Sequence, residues 1–170
     1  MSSKFTFKDN SDKVMAELKK ELIARVTQAC MVVESQAKSI APVGGGTGQL
    51  RDTITHNIEE KDGMIIGQVG SPLMYAPYVE FGTGEFAENG QGRKGYWVYV
   101  KGSEGGIRSN GGKSYTFEEA KRVVAILREK GLDAHMTKGM KPRPFLRRAF
   151  RANSAKIKAI LGDKIEKLSD

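Results

Sequence analysis

The segment Gly106-Ile107-Arg108-Ser109-Asn110-Gly111-Gly112-Lys113-Ser114 ends as a phosphate-binding loop does, in Gly-Lys-Ser. In that motif, G-x-x-x-x-G-K-[ST], backbone N–H groups and the start of a helix cradle phosphate oxygens. Here the first glycine position falls on Ile107, with Gly106 one place too early, and Tyr115 and Thr116 separate Ser114 from the helix that follows. Neither the spacing nor the context serves a nucleotide, and no cofactor is expected.

The other reactive residue types are equally scattered. Cys30 is the only cysteine and sits in an apolar stripe, which suits a small buried hydrophobe better than a reactive thiol. His56 and His135 are far apart and have no metal-ligand spacing. Glu59, Glu60 and Asp62 surround a turn and read as solvated charges, while Glu118 and Glu119 are acids favoured at a helix start. No nucleophile has a base placed to activate it, so the chain does not read as an enzyme.

Positive charge is the stronger signal. The chain carries 28 Lys and Arg against 20 Asp and Glu, a net +8. From Lys138 onward ten basic residues face three acidic ones, so the excess gathers at the C-terminal end. A polyanion such as DNA is one reading; a solvated basic helix face is the other. With 170 residues and no long apolar run or secretory signal, the expectation is one soluble domain made in a cytoplasm, with no membrane partner.

The elements follow from periodicity and punctuation. Ser11 or Asp12 can cap a helix in which Met15, Leu18, Leu22, Val26, Ala29, Val33 and Ala37 recur at helical spacing until Ala41-Pro42 stops it. Nearly thirty residues span about 45 Å, long for so small a domain. After a glycine loop, Leu50 to Glu60 reads as a half-buried strand, Asp62-Gly63 as a hairpin turn, and Met64 to Val69 as the partner strand. Leu73 to Thr83 reads as an irregular edge strand around Pro77, with Phe81 in the core.

Between glycine-rich loops, Tyr96 to Val100 predicts a strand, and Thr116 with Glu119 predicts a capping box for a helix through Lys130, ended by Gly131. Leu132, Ala134 and Met136 alternate as another strand, so residues 85–140 form an expected β-α-β insertion with parallel strands. A final helix opens at Pro144 with Leu146, Ala149, Phe150, Ile157, Ile160, Leu161, Ile165 and Leu168 on one side. The expected class is α+β: a long N-terminal helix, a small mainly antiparallel sheet, the inserted strand-helix-strand unit and a basic C-terminal helix. Two surface features stand out. Tyr96, Trp97 and Tyr99 crowd a short strand whose outer face suits a neighbouring subunit, and Arg143, Arg147 and Arg151, spaced by four, would stripe one face of the last helix. That stripe could meet DNA in a channel or the acids of a partner protein.

Three patches then occur in order: Ala41-Pro42 with Thr47-Gly48 and Leu50-Arg51; Tyr75-Ala76 with Val79-Glu80-Phe81-Gly82-Thr83; and Pro142 with Pro144-Phe145-Leu146. Together they resemble the tail-completion and head-tail joining (neck) proteins of long-tailed bacteriophages, a family in which the minor tail protein Z of lambda is a functional counterpart. Gly44-Gly45-Gly46 and the long stretch from Glu85 to Met140 depart from the family pattern. The resemblance implies a single domain over residues 1–170 with these motif residues structural. It further implies a subunit that assembles with itself into a sixfold ring at the virion neck, beside head-completion and tail-terminator proteins and around the double-stranded genome. A non-specific DNA-binding protein using the basic helix is the alternative.

Overall fold

The computed structural model describes residues 9–43, 47–101 and 113–162. They form two compact units: Met1–Pro72 with Phe145–Asp170, and Leu73–Pro144.

The first unit is built on helix α1, Ser11–Ile40, 30 residues long. Its start lies one step earlier than the sequence suggests. Asn10 is the cap residue, and the Asp9 carboxylate accepts the Ser11 N–H at 2.9 Å. Its end is the expected one, because Ala41 turns extended ahead of Pro42 while its N–H still reaches the Ala37 carbonyl. Ala29, Cys30, Val33 and Ala37 are buried along one face, yet Val14 and Met15 are 59% and 63% exposed, so the first turns project beyond the packed part of the unit.

The expected strand from Leu50 begins instead with a helical turn, α2, Gln49–Asp52. Gly48 enters it in the left-handed region at φ 64°, and the Thr53 hydroxyl donates back to the Gln49 carbonyl at 2.8 Å. This local coil buries Leu50 and delivers Ile54, 1% exposed, to the core. Only then do β1, Thr55–Lys61, and β2, Met64–Gly70, pair as an antiparallel hairpin across Asp62-Gly63, with Lys61 opposite Met64. Both turn residues have positive φ, as a two-residue hairpin of the type I′ kind requires.

The hairpin packs on α1 through a missing side chain. A Cβ on Gly67 would overlap Cys30 Sγ and Val26 Cγ1, so the glycine lets the strand backbone approach the helix. His56 on β1 adds a polar link, its Nδ1 lying 2.5 Å from Glu34 Oε2, and Lys38 holds the other oxygen of the same carboxylate. These bonds, the His56 contact first and Lys38 second, hold the Glu34 carboxyl below the ordinary glutamate range despite its partial burial.

The single C-terminal helix expected from Pro144 is two. Phe145, 1% exposed, precedes α5, Leu146–Ala152, and α6 is Ser154–Gly162. Asn153 breaks them: its side-chain N–H₂ donates to the Ala149 carbonyl at 2.9 Å, competing with a continuous helix. The break changes the phase of the apolar stripe. Ala149 and Ile157 are buried, whereas Phe150 is 56% exposed rather than inward. Ile165 and Leu168 lie outside the described residues. Arg25, buried on α1, donates toward the Ile160 carbonyl at 3.4 Å and pairs with Glu21, giving the last turn of α6 a cation.

In the second unit, the strand expected around Pro77 is a helix, α3, Ala76–Phe81. Proline is accommodated in its first turn, where no intrahelical N–H partner is needed, and Gly82 ends it at φ 76°. Ala76 and Glu80, one turn apart, are buried; Phe81 is 48% exposed, so it is not the core residue anticipated. A 3-10 turn, Gly84–Phe86, follows. Strands β3, Trp97–Val100, and β4, Ala134–Thr137, flank helix α4, Phe117–Glu129. Its Thr116/Glu119 capping box is formed. At the other end Gly131 and Leu132 bond back to Arg128 and Leu127, closing a Schellman turn.

The two strands are antiparallel, not parallel, with Trp97 opposite Thr137 and Val100 opposite Ala134. Tyr115 pairs with Tyr96, so the chain returns to the beginning of β3 before α4 starts. The helix therefore runs alongside β3 in the same direction, and the Schellman turn sends β4 back against both. A parallel crossover needs the helix to begin at the strand's exit. Val98, Ala120, Val124 and Ala134 form the core of this unit.

Two outcomes are expected. Gly67→Ala should destabilise the protein by about 1–3 kcal/mol through overpacking, measured from urea denaturation midpoints, and Cys30→Ala in the same chain should recover part of the loss. Equal losses in the single and double variants would show that the sulfur is not the obstacle. Second, because Glu34 is more acidic folded than unfolded, its contribution is complete above the ordinary glutamate pKa and is lost as pH falls through it toward the folded value, below about pH 5. The wild-type midpoint should therefore drop more steeply on acidification than that of Glu34→Gln; parallel curves would contradict this.

Candidate assembly surfaces

The residue types that could have carried catalysis are tied into structure. Cys30 is buried, and burial first, then the nearby Glu34 carboxylate, push its thiol pKa up, away from a reactive thiolate. His56 serves the Glu34 contact, and the His135 ring lies 5.4 Å from that of Tyr99. Among the described residues no group of three or more His, Cys, Asp or Glu could hold a metal ion. The Gly106–Gly112 part of the Gly-Lys-Ser segment lies outside the described residues.

What the structure offers instead is uncovered apolar surface. In the first unit a cavity of ≈490 Å³ opens between α1, β2, α5 and α6. Val26, Ala29, Cys30 and Val33 form one wall, Ile65, Gly67 and Val69 the second, and Leu146, Phe150, Ile157 and Leu161 the third. Arg147 and Arg151, one helical turn apart on α5, also line it. The groove stays open because α5 is short and Phe150 stands at the edge rather than filling the centre. Sequence periodicity alone missed this groove, as it missed the burial of Arg25. The only advance signal was a helix too long for its domain.

The arginines expected to form one stripe divide. Arg147 and Arg151 are on α5, but Arg143 precedes the helix in the second unit, where its backbone N–H donates to the Val79 carbonyl at 2.8 Å. That bond joins two of the motif patches. Around it Thr83 N–H meets the Met140 carbonyl at 2.9 Å and Met140 N–H meets the Thr83 hydroxyl at 3.0 Å, so Tyr75–Thr83 and Lys141–Arg143 run side by side. Glycine is required in this clasp: a Cβ on Gly84 would strike the Lys138 carbonyl, and one on Gly139 the Thr83 carbonyl. Of the charged residues in the motif patches, Arg51 pairs with Asp52 at 2.8 Å on the surface, and Glu80 is 3% exposed.

Two aromatic surfaces occur on the second unit. On β3 the faces alternate: Tyr96, Val98 and Val100 pack toward α4, with Tyr96 edge-on to Phe117 at 5.5 Å. Trp97 and Tyr99 occupy the other face, half-buried, with the Arg93 guanidinium 5.2 Å from the Trp97 ring. At α3, the cap residue Tyr75 and the helical Tyr78 and Phe81 are exposed, next to Met74 at 91%.

Broad exposed apolar surface of this kind marks sites of protein contact. No helix among the described residues is long and apolar enough to cross a membrane. Comparison with curated proteins and with solved structures found no match. Residues 5–82, which run from before α1 to the end of α3, match the HK97-gp10-like family model, described as "Bacteriophage HK97-gp10, putative tail-component". Over that stretch, somewhat less than half of its length, the chain is similar to this family of phage tail components.

Proposed function

We propose that the protein completes the phage tail and joins it to the head at the neck, as a ring of identical copies around the channel through which DNA passes. The observation that carries this is the match of residues 5–82 to a tail-component family, together with the order of the three motif patches. The open apolar groove of the first unit supports it, because a surface lined by Val26, Ile65, Val69 and Leu161 is costly to leave in water and gains from a neighbour. Trp97 and Tyr99 supply a second contact of the kind that dominates interface energetics. The role is mechanical, with neighbouring head-completion and tail-terminator proteins as partners and no reaction catalysed.

The net charge of +8 suits a channel lining that neutralises DNA without reading sequence. Arg147 and Arg151 stand beside apolar walls, however, which favours carboxylates of a protein partner over phosphates for these two residues. A free-standing DNA-binding protein would need neither the groove nor the exposed aromatic face of α3.

Electron microscopy of particles produced without this protein tests the role. Filled heads and finished tails should accumulate apart, and supplying the purified chain should join them. Joined, infectious particles in its absence would overturn the reading. If the free chain retains duplex DNA tightly with a steep salt dependence while joining proceeds normally without it, the DNA-binding function replaces the connector.

A further inference from the structure

We propose that copies of this chain join head to tail, the projecting first turns of α1 in one copy seating Val14 and Met15 in the α1/β2/α5/α6 groove of the next. This rests on the ring reading above and names the contact that would build the ring.

The two halves of the contact are both uncovered on the same unit. Met15 lies on the same stripe of α1 as the buried Val33 and Ala37, with Leu22 and Val26 between them, so the helix carries its core-facing pattern past the end of its own core. Among the described residues nothing in the packed part of the unit reaches that far: buried positions on α1 begin at Arg25, and Val14 and Met15 are more than half exposed. The groove, conversely, is an apolar volume of ≈490 Å³ with space for several side chains. Methionine suits such an irregular site, being unbranched and adaptable.

The first turns of α1 cannot fill the groove of their own copy. Met15 and Val26 are on one continuous helix, separated by about 16 Å at ~1.5 Å per residue, and a helix without a break does not fold back on itself. The first turns of α1 can therefore seat only in the groove of another chain, and a second copy brings matching charge. Asp12 shares the Met15 face, one turn earlier, and Asp9 precedes the helix; Arg147 and Arg151 line the receiving groove. Because the projecting turn and the groove are different surfaces, the contact is heterologous. Such contacts repeat from copy to copy and close into a ring when the rotation permits.

The test uses the full chain and native mass spectrometry, with sedimentation for the concentration dependence. Wild type should form a closed oligomer. Val14→Asp/Met15→Asp, changed only at exposed positions, should keep its helical circular dichroism and raise the concentration needed for assembly by roughly a hundredfold. Phe150→Asp, at the exposed groove edge, should do the same. Mixing the two variants should restore one intact contact per pair and yield a dimer that grows no further, a result a symmetric interface cannot give. Reversal to Asp12→Arg with Arg151→Asp should assemble better than either change alone. A ring that persists in Val14→Asp/Met15→Asp overturns this contact and leaves the ring reading standing, as does a folded pair of variants that fails to form the mixed dimer. Wild type that remains a single copy at every concentration overturns both. Loss of particle joining by Phe150→Asp alone, with Val14→Asp/Met15→Asp fully active, assigns the groove to a different neck protein and overturns the proposal.

Discussion

Strand β2 lies against α1 closely enough that residue 67 has no room for a side chain, and the first unit depends on that approach. A two-stranded hairpin is marginal by itself in water, since it buries little and exposes two edges. Pressed onto a long helix, the same hairpin turns Ile58, Ile65 and Val69 inward and gains the Glu34–His56 link. The helix is stabilised in return by surface that an isolated amphipathic segment lacks. α5 and α6 then pack on the remaining part of α1, through Ala149 and Ile157 and through the Arg25 guanidinium at the Ile160 carbonyl. One helix thus serves as the floor for elements that have little contact with each other.

The same economy leaves the unit incomplete. Strand β2 meets α1 where residue 67 has no room for a side chain, while α5 ends at Ala152 and holds Phe150 at the rim, so tight backbone packing and an open apolar groove stand side by side. In an isolated protein such a groove is a liability for aggregation. In the assembling subunit proposed above it is a place for a neighbour to dock.

Local chemistry with its own punctuation was legible in the sequence. Asp62-Gly63 fixes both residues of a tight turn at positive φ, and Thr116 with Glu119 satisfies orphan N–H groups whatever surrounds them, so hairpin and capping box stand where they were expected. Tyr75 to Phe81 misled because aromatic and β-branched residues favour strands only when another strand is there to pair with them. Without one, Pro77 at a helix start and a buried Ala76/Glu80 pair decide the outcome. The direction of β4 was hidden for a different reason: it depends on where the chain goes before Tyr115, which no pattern within the strands records. The exposed stripe and the groove were likewise not readable, since each follows from how far neighbouring elements extend rather than from the type of any residue. The burial of Arg25 has no local signal either, because it comes from α6 ending over it.

The clasp at the base of the second unit has a consequence for how such a protein can change over time. Val79 holds Arg143, Thr83 holds Met140, and glycines at 84 and 139 let the two backbones touch, so the chain enters at Glu85 and leaves at Lys138 through a closed stem. For a flexible loop whose ends are already fixed, doubling its length costs only about 0.6 kcal/mol of closure entropy. Sequence can therefore be added or removed above the stem while the residues below it keep their places. Lineages that need to grip different neighbours can rewrite the hanging portion, and the joint beneath it need not be reinvented.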